Sequence, residues 1–522
     1  MSQNSFVKIE GNWSNGTFTG RGRFTYPNGD VFEGDFVKSK KQGNGSYKYA
    51  KGEIYNGQFV NDIKEGFGVY KYSDGSIYEG NWSKGRKNGN GRMILGNKSS
   101  YEGNFENGVF QGLGTYKFVD GKIYVGEWSN DLMNGKGKLS FPQGHTIDGY
   151  FKDGSIDGDV TLTYKNGEVY VGPLKNGKES GQGSYTFSNG DRYEGTYING
   201  IRQGKGKYFY VNNDVYDGNW VDGKKNGFGV LHFSNGNVYE GNFINDKKIG
   251  KGKYTTRKNI VFEGNFNDTD PSQQTGVIIY PNGDKYEGGM LNMKRNGEGI
   301  FITADDIKFS GKWEKDYLST GTLKLTNGFR YEGQFKNNEI NGMGKVSYPN
   351  SDYYEGQFVN SSKEGEGQMI FANANQYKGQ FRDDKINGKG TFKFANGDVY
   401  QGDFVDNRLE GKGIFVNKEG HRYEGEWLAN QRNGYGVYKY NNGDIYEGAW
   451  ESDEKNGFGV YRFSNGDTYK GDFVNSRKHG RGDYFFAGGD SIKGMFKDDQ
   501  LVEELDENGE PIKQDQQDQQ DQ

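Results

Sequence analysis

One feature restricts this chain more than any other: a 23-residue period that runs nearly from end to end. A residue of the type Tyr, Phe or Ile, followed two places later by Gly, recurs at Ile9, Phe32, Tyr55, Tyr78, Tyr101, Tyr124, Ile147, Tyr170, Tyr193, Tyr216, Tyr239, Phe262, Tyr286, Phe309, Tyr331, Tyr354, Tyr377, Tyr400, Tyr423, Tyr446, Tyr469 and Ile492. These are 22 anchors, spaced by 23 residues except Phe262 to Tyr286 (24) and Phe309 to Tyr331 (22). A fixed period of this length is the signature of an array in which each unit buries its apolar face against its neighbours.

With the anchor as offset 0, offset 2 is Gly throughout and offset 4 is aromatic in 20 repeats, the exceptions being Leu174 and Met290. All seven tryptophans, Trp13, Trp82, Trp128, Trp220, Trp313, Trp427 and Trp450, stand at offset 4. Offsets 11 and 13 are both Gly in 18 of the 21 complete repeats. Offsets 15 and 17 are mostly Tyr or Phe, and Asn-Gly-Asp often closes the unit, as at Asn465, Gly466 and Asp467. Strand side chains alternate with period 2, so offsets 0, 2 and 4 share one face, as do 13, 15 and 17. The spacing predicts two antiparallel strands per repeat, at offsets −1 to 5 and 13 to 18. A loop at offsets 6 to 11 joins them, and an Asn-Gly hairpin turn leads into the next repeat. One face carries rings and glycines, the other Glu, Asn, Gln, Lys and Thr. A glycine in mid-strand marks the close approach of another group, here an aromatic ring lying in the slot.

Composition agrees. With 87 Gly, 38 Tyr and 36 Phe but only 7 Pro, many short strands and tight turns fit better than helices. No apolar run approaches the roughly 20 residues of a spanning helix, and the first ten residues lack a signal-peptide core; a cytoplasmic location is expected. With no Cys there is no disulfide, thiol catalyst or Cys-held zinc. His145, His232, His421 and His479 are scattered. No catalytic site, cofactor or metal is expected: each Gly-x-Gly belongs to the repeat rather than to a nucleotide-binding loop.

The pattern Tyr-Glu-Gly-x-Trp/Phe … Gly-x-Gly-x-Tyr/Phe-x-Tyr/Phe … Asn-Gly-Asp resembles the MORN repeat (membrane occupation and recognition nexus) over about residues 5–500. The resemblance implies an all-β fold, an elongated, twisted, single-layer antiparallel sheet built from 23-residue β-hairpin repeats. The expected organisation is an array of about 22 repeats over 1–500, irregular near 147–175 and 262–331, followed by an acidic disordered tail over 501–522. In the first irregular stretch Val160 replaces a glycine; the second holds the extra and the missing residue. The tail has eight acids against Lys513, a charge of −7, which leaves the array at −5 − (−7) = +2.

MORN arrays occur fused to lipid kinases, methyltransferases and membrane-anchored junctional proteins; this array fills the chain. Freestanding arrays resemble cytoskeletal scaffolds of cilia and basal bodies, some of which form homodimers through a terminal edge. The resemblance therefore implies a non-enzymatic, protein-binding rod in a cytoskeletal assembly, a cilium or flagellar axoneme in the first place, with other proteins of that assembly as partners. The candidate protein-binding surface is the aromatic face: the seven tryptophans together with Tyr331, Tyr354, Tyr423 and Tyr446. The alternative is a peripheral membrane–cytoskeleton linker that holds acidic phospholipids through basic loops, the candidates being Lys38, Lys40, Lys41, Lys84, Arg86, Lys87, Lys294, Arg295, Arg477 and Lys478. Nucleic acid is not expected as a partner, because the array is nearly neutral and its cations are read as lying in loops or on the polar face, away from the rings.

Overall fold

The computed structural model describes residues 8–11 and 13–512. They form two compact units that divide between Arg257 and Lys258. Both units are all-β and built as an open antiparallel meander in which consecutive strands pair.

The repeat anchored on Tyr446 shows the plan of both. Its first strand, Ile445–Glu451, spans offsets −1 to 5 as expected. Its second, Glu454–Arg462, begins at offset 8 rather than 13. The expected loop is thus a two-residue turn, Ser452 and Asp453, with φ of 51° and 70°. Left-handed values at both positions match the twist of a hairpin and favour Asn, Asp and Gly, and other repeats have Asn107-Gly108 or Asn199-Gly200 there. The Asn-Gly-Asp segment makes a different turn. Phe463 accepts from the Gly466 N–H (3.0 Å) and donates its own N–H to Asp467 O (2.9 Å), and Gly466 has φ of 98°. This is a three-residue loop ending in a left-handed glycine.

The early start of the second strand is accommodated by a bulge. Gly448 pairs with Gly459, and Trp450 with Lys455, so one residue between them faces three. Gly457, at offset 11, takes φ of 91° there, which accounts for glycine at that offset. Gly448 also pairs with Gly436 of the preceding strand, so a line of opposed glycines crosses the strands. The Tyr446 ring lies over that line. A Cβ on Gly459 would stand 2.5 Å from the ring, and the ring is fully buried. Its hydroxyl donates to Ala449 O (2.8 Å).

In the unit ending at Arg257, the strand Lys8–Glu10 pairs with Gly20–Thr25, and a small hairpin, Trp13–Ser14 with Thr17–Phe18, stands between them. The stretch expected to be irregular near Val160 is a regular hairpin, Thr146–Lys152 with Ser155–Thr163. Ile147 replaces the usual tyrosine and Val160, 2% exposed, sits opposite Gly149, so the valine supplies bulk where the ring is missing. The interruption falls later, at Ser180, between Lys178–Glu179 and Gly181–Thr186.

In the second unit, the extra residue is absorbed by a short 3-10 turn, Pro271–Gln273, capped by the Asp270 side chain. The strand that follows, Gln274–Ile279, has six residues instead of nine, and the missing residue leaves Tyr317–Lys324 with eight. The expected boundary at residue 500 does not hold. Gln500–Glu504 forms a further strand on Ser491–Lys497, Leu505 bridges to Pro511, and Arg481 donates to Gly509 O (2.7 Å). After the turn at Asp498 and Asp499 the backbone pairs with the open edge, Phe496 with Leu501 and Gly494 with Glu504, and the exposed acidic side chains do not prevent this. Residues 513–522 of the expected tail lie outside the described residues.

Candidate functional site

The aromatic face is layered. Deepest are the anchor rings: Tyr331, Tyr354, Tyr423 and Tyr446 are fully buried. Over them stand the offset-4 rings. Trp450 meets Tyr446 and Tyr423 edge-on, each at 5.3 Å, and donates its indole N–H to Gly436 O (3.3 Å). Trp82, Trp128, Trp220, Trp313, Trp427 and Trp450 are all buried, whereas Trp13 is 56% exposed. The candidate protein-binding aromatics are thus core residues, apart from Trp13. The accessible layer consists of the half-buried rings at offsets 15 and 17, in a ladder such as Tyr440–Tyr461–Phe463–Tyr484 with centroids 4.5 to 5.8 Å apart.

Between these layers lies a row that the sequence reading did not place: offset 9. Because offset 9 pairs with offset 4, its side chain joins the rings. It is a cation at Lys41, Lys64, Lys87, Arg202, Lys225, Arg295, Lys363, Arg432, Lys455 and Lys478, each over two or more rings, and at Lys248, over Tyr239. The Arg432 guanidinium lies 4.4 Å from the Trp450 ring, and its Nε donates to Asp453 Oδ1 (3.0 Å). The Lys64 ammonium sits among Tyr49, Tyr55, Tyr70 and Trp82, 4.3 Å from Tyr70. Burial pushes its pKa down to about 8, against the opposing pull of Glu53. The expectation that cations avoid the aromatic face is therefore wrong. Of the candidate basic-loop residues, Lys41, Lys87, Arg295 and Lys478 belong to these ring boxes. Lys40, Arg86, Lys294 and Arg477 are the exposed first residues of their strands, and Lys38 and Lys84 lie in the turns. Extending the second strand to offset 8 would have exposed this row to the same parity argument.

Where offset 9 is apolar, no cation caps the rings. In the first unit Phe110 fills the place itself, stacked on Tyr101 at 3.9 Å. In the second unit Ile386 and Leu409 do not fill it, and a trough of about 600 Å³ opens, lined by these two with Phe392, Phe394, Phe404, Phe415, Trp427 and Tyr438. Asn407 and Asn430 form one wall, and the Arg432–Asp453 pair closes an end. Beside it the ring ladder at offset 17 is interrupted, with Asn417 standing between Phe394 and Tyr440. Concave, ring-lined and carrying a few polar groups, the trough has the make-up of a binding site. Among the described residues no group of three or more His, Asp or Glu side chains is arranged to hold a metal ion.

Neighbouring repeats are clipped at the turns. Asp444 Oδ1 accepts the Ser464 N–H (2.8 Å) and its Oδ2 the Tyr461 hydroxyl (2.8 Å). Burial pushes the Asp444 carboxyl up, but the Ser464 N–H, the Tyr461 hydroxyl and Asn442 outweigh it and hold the group below its ordinary value. The Tyr461 hydroxyl is correspondingly raised, by burial first and then by Asp444.

The profile of the MORN repeat matches 17 segments: six consecutive ones over residues 10–146, four over 170–259 and seven over 331–491. None of the curated proteins matches the chain. Among solved structures, the TCP domain of SAS-4 (dCPAP) of Drosophila melanogaster, in complex with a proline-rich motif of Ana2, is 16% identical, with 33% of this chain and 94% of that one covered and a TM-score of 0.22. The TCP10 domain of Danio rerio CPAP is 14% identical, with 46% and 96% covered and a TM-score of 0.19. At such scores the likeness carries no argument. The period, the glycine line and the matched segments agree, and together they identify the chain as a member of the MORN-repeat family.

Proposed function

We propose that the protein is a non-enzymatic interaction scaffold and that the trough beside Leu409 is where it holds a protein partner. The observation that carries this reading is the open trough itself. In most repeats Lys, Arg or Phe stands over the rings at this offset, whereas at Ile386 and Leu409 about 600 Å³ of ring-lined space is left free. An apolar partner side chain gains roughly 25 cal/mol per Å² buried there. The assembly we assign is cytoskeletal, a cilium or flagellum in the first place, on the resemblance to freestanding MORN scaffolds.

Replacing Leu409 by Lys tests the site without disturbing the fold, because Lys is what Lys363 and Lys455 supply at this offset. Proximity labelling from flagellated cells is expected to lose a defined set of partners with Leu409→Lys and to keep them with Leu428→Lys, whose side chain is exposed outside the trough. Unchanged partner recovery with Leu409→Lys would remove the trough from the reading. The membrane-linker alternative is weakened by the placement of Lys41, Lys87, Arg295 and Lys478 among rings rather than outward. Co-sedimentation with phosphatidylserine vesicles at physiological salt would restore it.

A further inference from the structure

The clip between repeats is an aspartate, asparagine, glutamate or serine at most junctions, and a histidine at the one beside the trough. Lys418 N–H is held by Asp398 (2.8 Å), Ser464 N–H by Asp444 (2.8 Å) and Ala487 N–H by Asp467 (2.9 Å). At the intervening junction the Asn441 N–H is held by His421 Nδ1 (3.2 Å). Asp444 and Asp467 also accept the hydroxyls of Tyr461 and Tyr484 (2.8 Å each). The equivalent ring, Tyr438, lies 5.9 Å from the His421 ring with no hydrogen bond between the two among the described residues. The His421 side chain therefore makes one bond to the next repeat, as does Asp398 opposite Phe415, whereas Asp444 and Asp467 each make two.

That bond needs a lone pair on Nδ1, so the ring must be neutral with its proton on Nε2. Nε2 faces Glu419 Oε2 at 3.7 Å. The His421 backbone is fixed independently, its N–H donating to Asn417 Oδ1 (2.9 Å) and its carbonyl accepting from Asn417 N–H (3.0 Å). The groups packed around the ring are Glu419 from its own turn and, from the following strand and turn, Tyr438, Tyr440 and the Asn441 side chain, which donates to Glu419 O (3.2 Å). Asp398 is engaged with Lys418, Arg432 with Asp453, and Asp444 with Ser464. Adding a proton to Nδ1 turns the acceptor into a donor aimed at the Asn441 N–H. Aspartate clips keep their charge over the range in which imidazole ordinarily gains its proton, roughly pH 8 to 5.

Resting on the trough reading above, we infer that His421 makes the junction between the repeats anchored on Tyr400 and Tyr423 an acid-released clip. Releasing it frees the 440–444 turn and, through Tyr438, loosens a wall of the trough. The test is amide hydrogen exchange of the full chain at pH 7.5 and 5.5, corrected for intrinsic rates. Protection at Asn441 is expected to fall at least tenfold relative to Ser464 on acidification, and the fall is expected to vanish in His421→Asp, which copies the neighbouring clips. Equal changes at Asn441 and Ser464 in the native sequence would overturn the inference, as would a fall that persists in His421→Asp. Leu409→Lys, which tests the trough, leaves His421 and Asn441 in place, so the two readings can fail separately.

Discussion

At the residue scale, the aromatic face depends on the absence of Cβ atoms. Tyr446 lies where side chains on Gly448 and Gly459 would stand, and a Cβ on either would fall about 2.5 Å from a ring or from backbone. Gly459→Ala is accordingly expected to destabilise its repeat by about 1–3 kcal/mol, the usual cost of overpacking. Gly488→Ala, where nothing lies within 4 Å and φ is not left-handed, is expected to stay within about 0.5 kcal/mol. Denaturant unfolding, with hydrogen exchange to locate the change, distinguishes the two. Trp450→Ala removes a ring 5% exposed together with its edge-on contacts, an expected loss of about 3–5 kcal/mol. That loss is expected to be confined to adjoining repeats, since stability in an array is set by nearest neighbours. Equal loss of protection near Tyr101 would contradict it.

At the element scale, the common hairpin is held by three devices: the left-handed turn, the bulge at offset 11, and the clip to the next turn. The clips respond to pH in a direction that follows from their acids. Asp444, Asp467 and Asp191 are held below their ordinary range in the folded chain. A depressed carboxyl contributes stability above its unfolded pKa of about 3.9 and loses it as pH falls through the folded value. Most clips are thus expected to hold down to about pH 4, with exchange protection at Ser464, Ala487 and Val211 declining together below it. Independence of pH between 5 and 2 at those amides would show that the carboxylates do not hold the turns. The turns were partly legible in the sequence. Asn-Gly-Asp was correctly read as a turn, whereas the loop expected at offsets 6 to 11 is a two-residue turn at offsets 6 and 7. The dipeptides there vary from Asn-Gly to Ser-Asp, and their common requirement, a left-handed φ at both positions, emerges only once the flanking strands are paired.

At the scale of the whole molecule, the terminal strand matters most. Gln500–Glu504 covers the edge of Ser491–Lys497 and carries the exposed Glu503 and Glu504, and charged edge residues discourage pairing with other chains. Truncation after residue 499 is expected to expose an edge containing Ile492 and Phe496 and to raise self-association in sedimentation experiments. Truncation after residue 512 is expected to leave the oligomeric state unchanged. A monomer after both truncations would mean that this strand does not guard the edge.

The 23-residue period, the two faces of each strand and the glycine slots beneath the rings were all determined by sequence alone, whereas the depth at which the anchor and offset-4 rings lie was not. They follow from local rules: side-chain alternation, and the missing Cβ that lets a ring approach backbone. Three further features were decided by tertiary structure. The Lys and Arg of offset 9 join the rings because a bulge starts the second strand five residues early, and bulges depend on the strand opposite. Acidic residues after 500 form a strand because an unpaired edge stands beside them. The trough at Leu409 is open, while Phe110 closes its counterpart, because whether a ring box is filled depends on the size of side chains that meet from three successive repeats, and no single repeat contains that information.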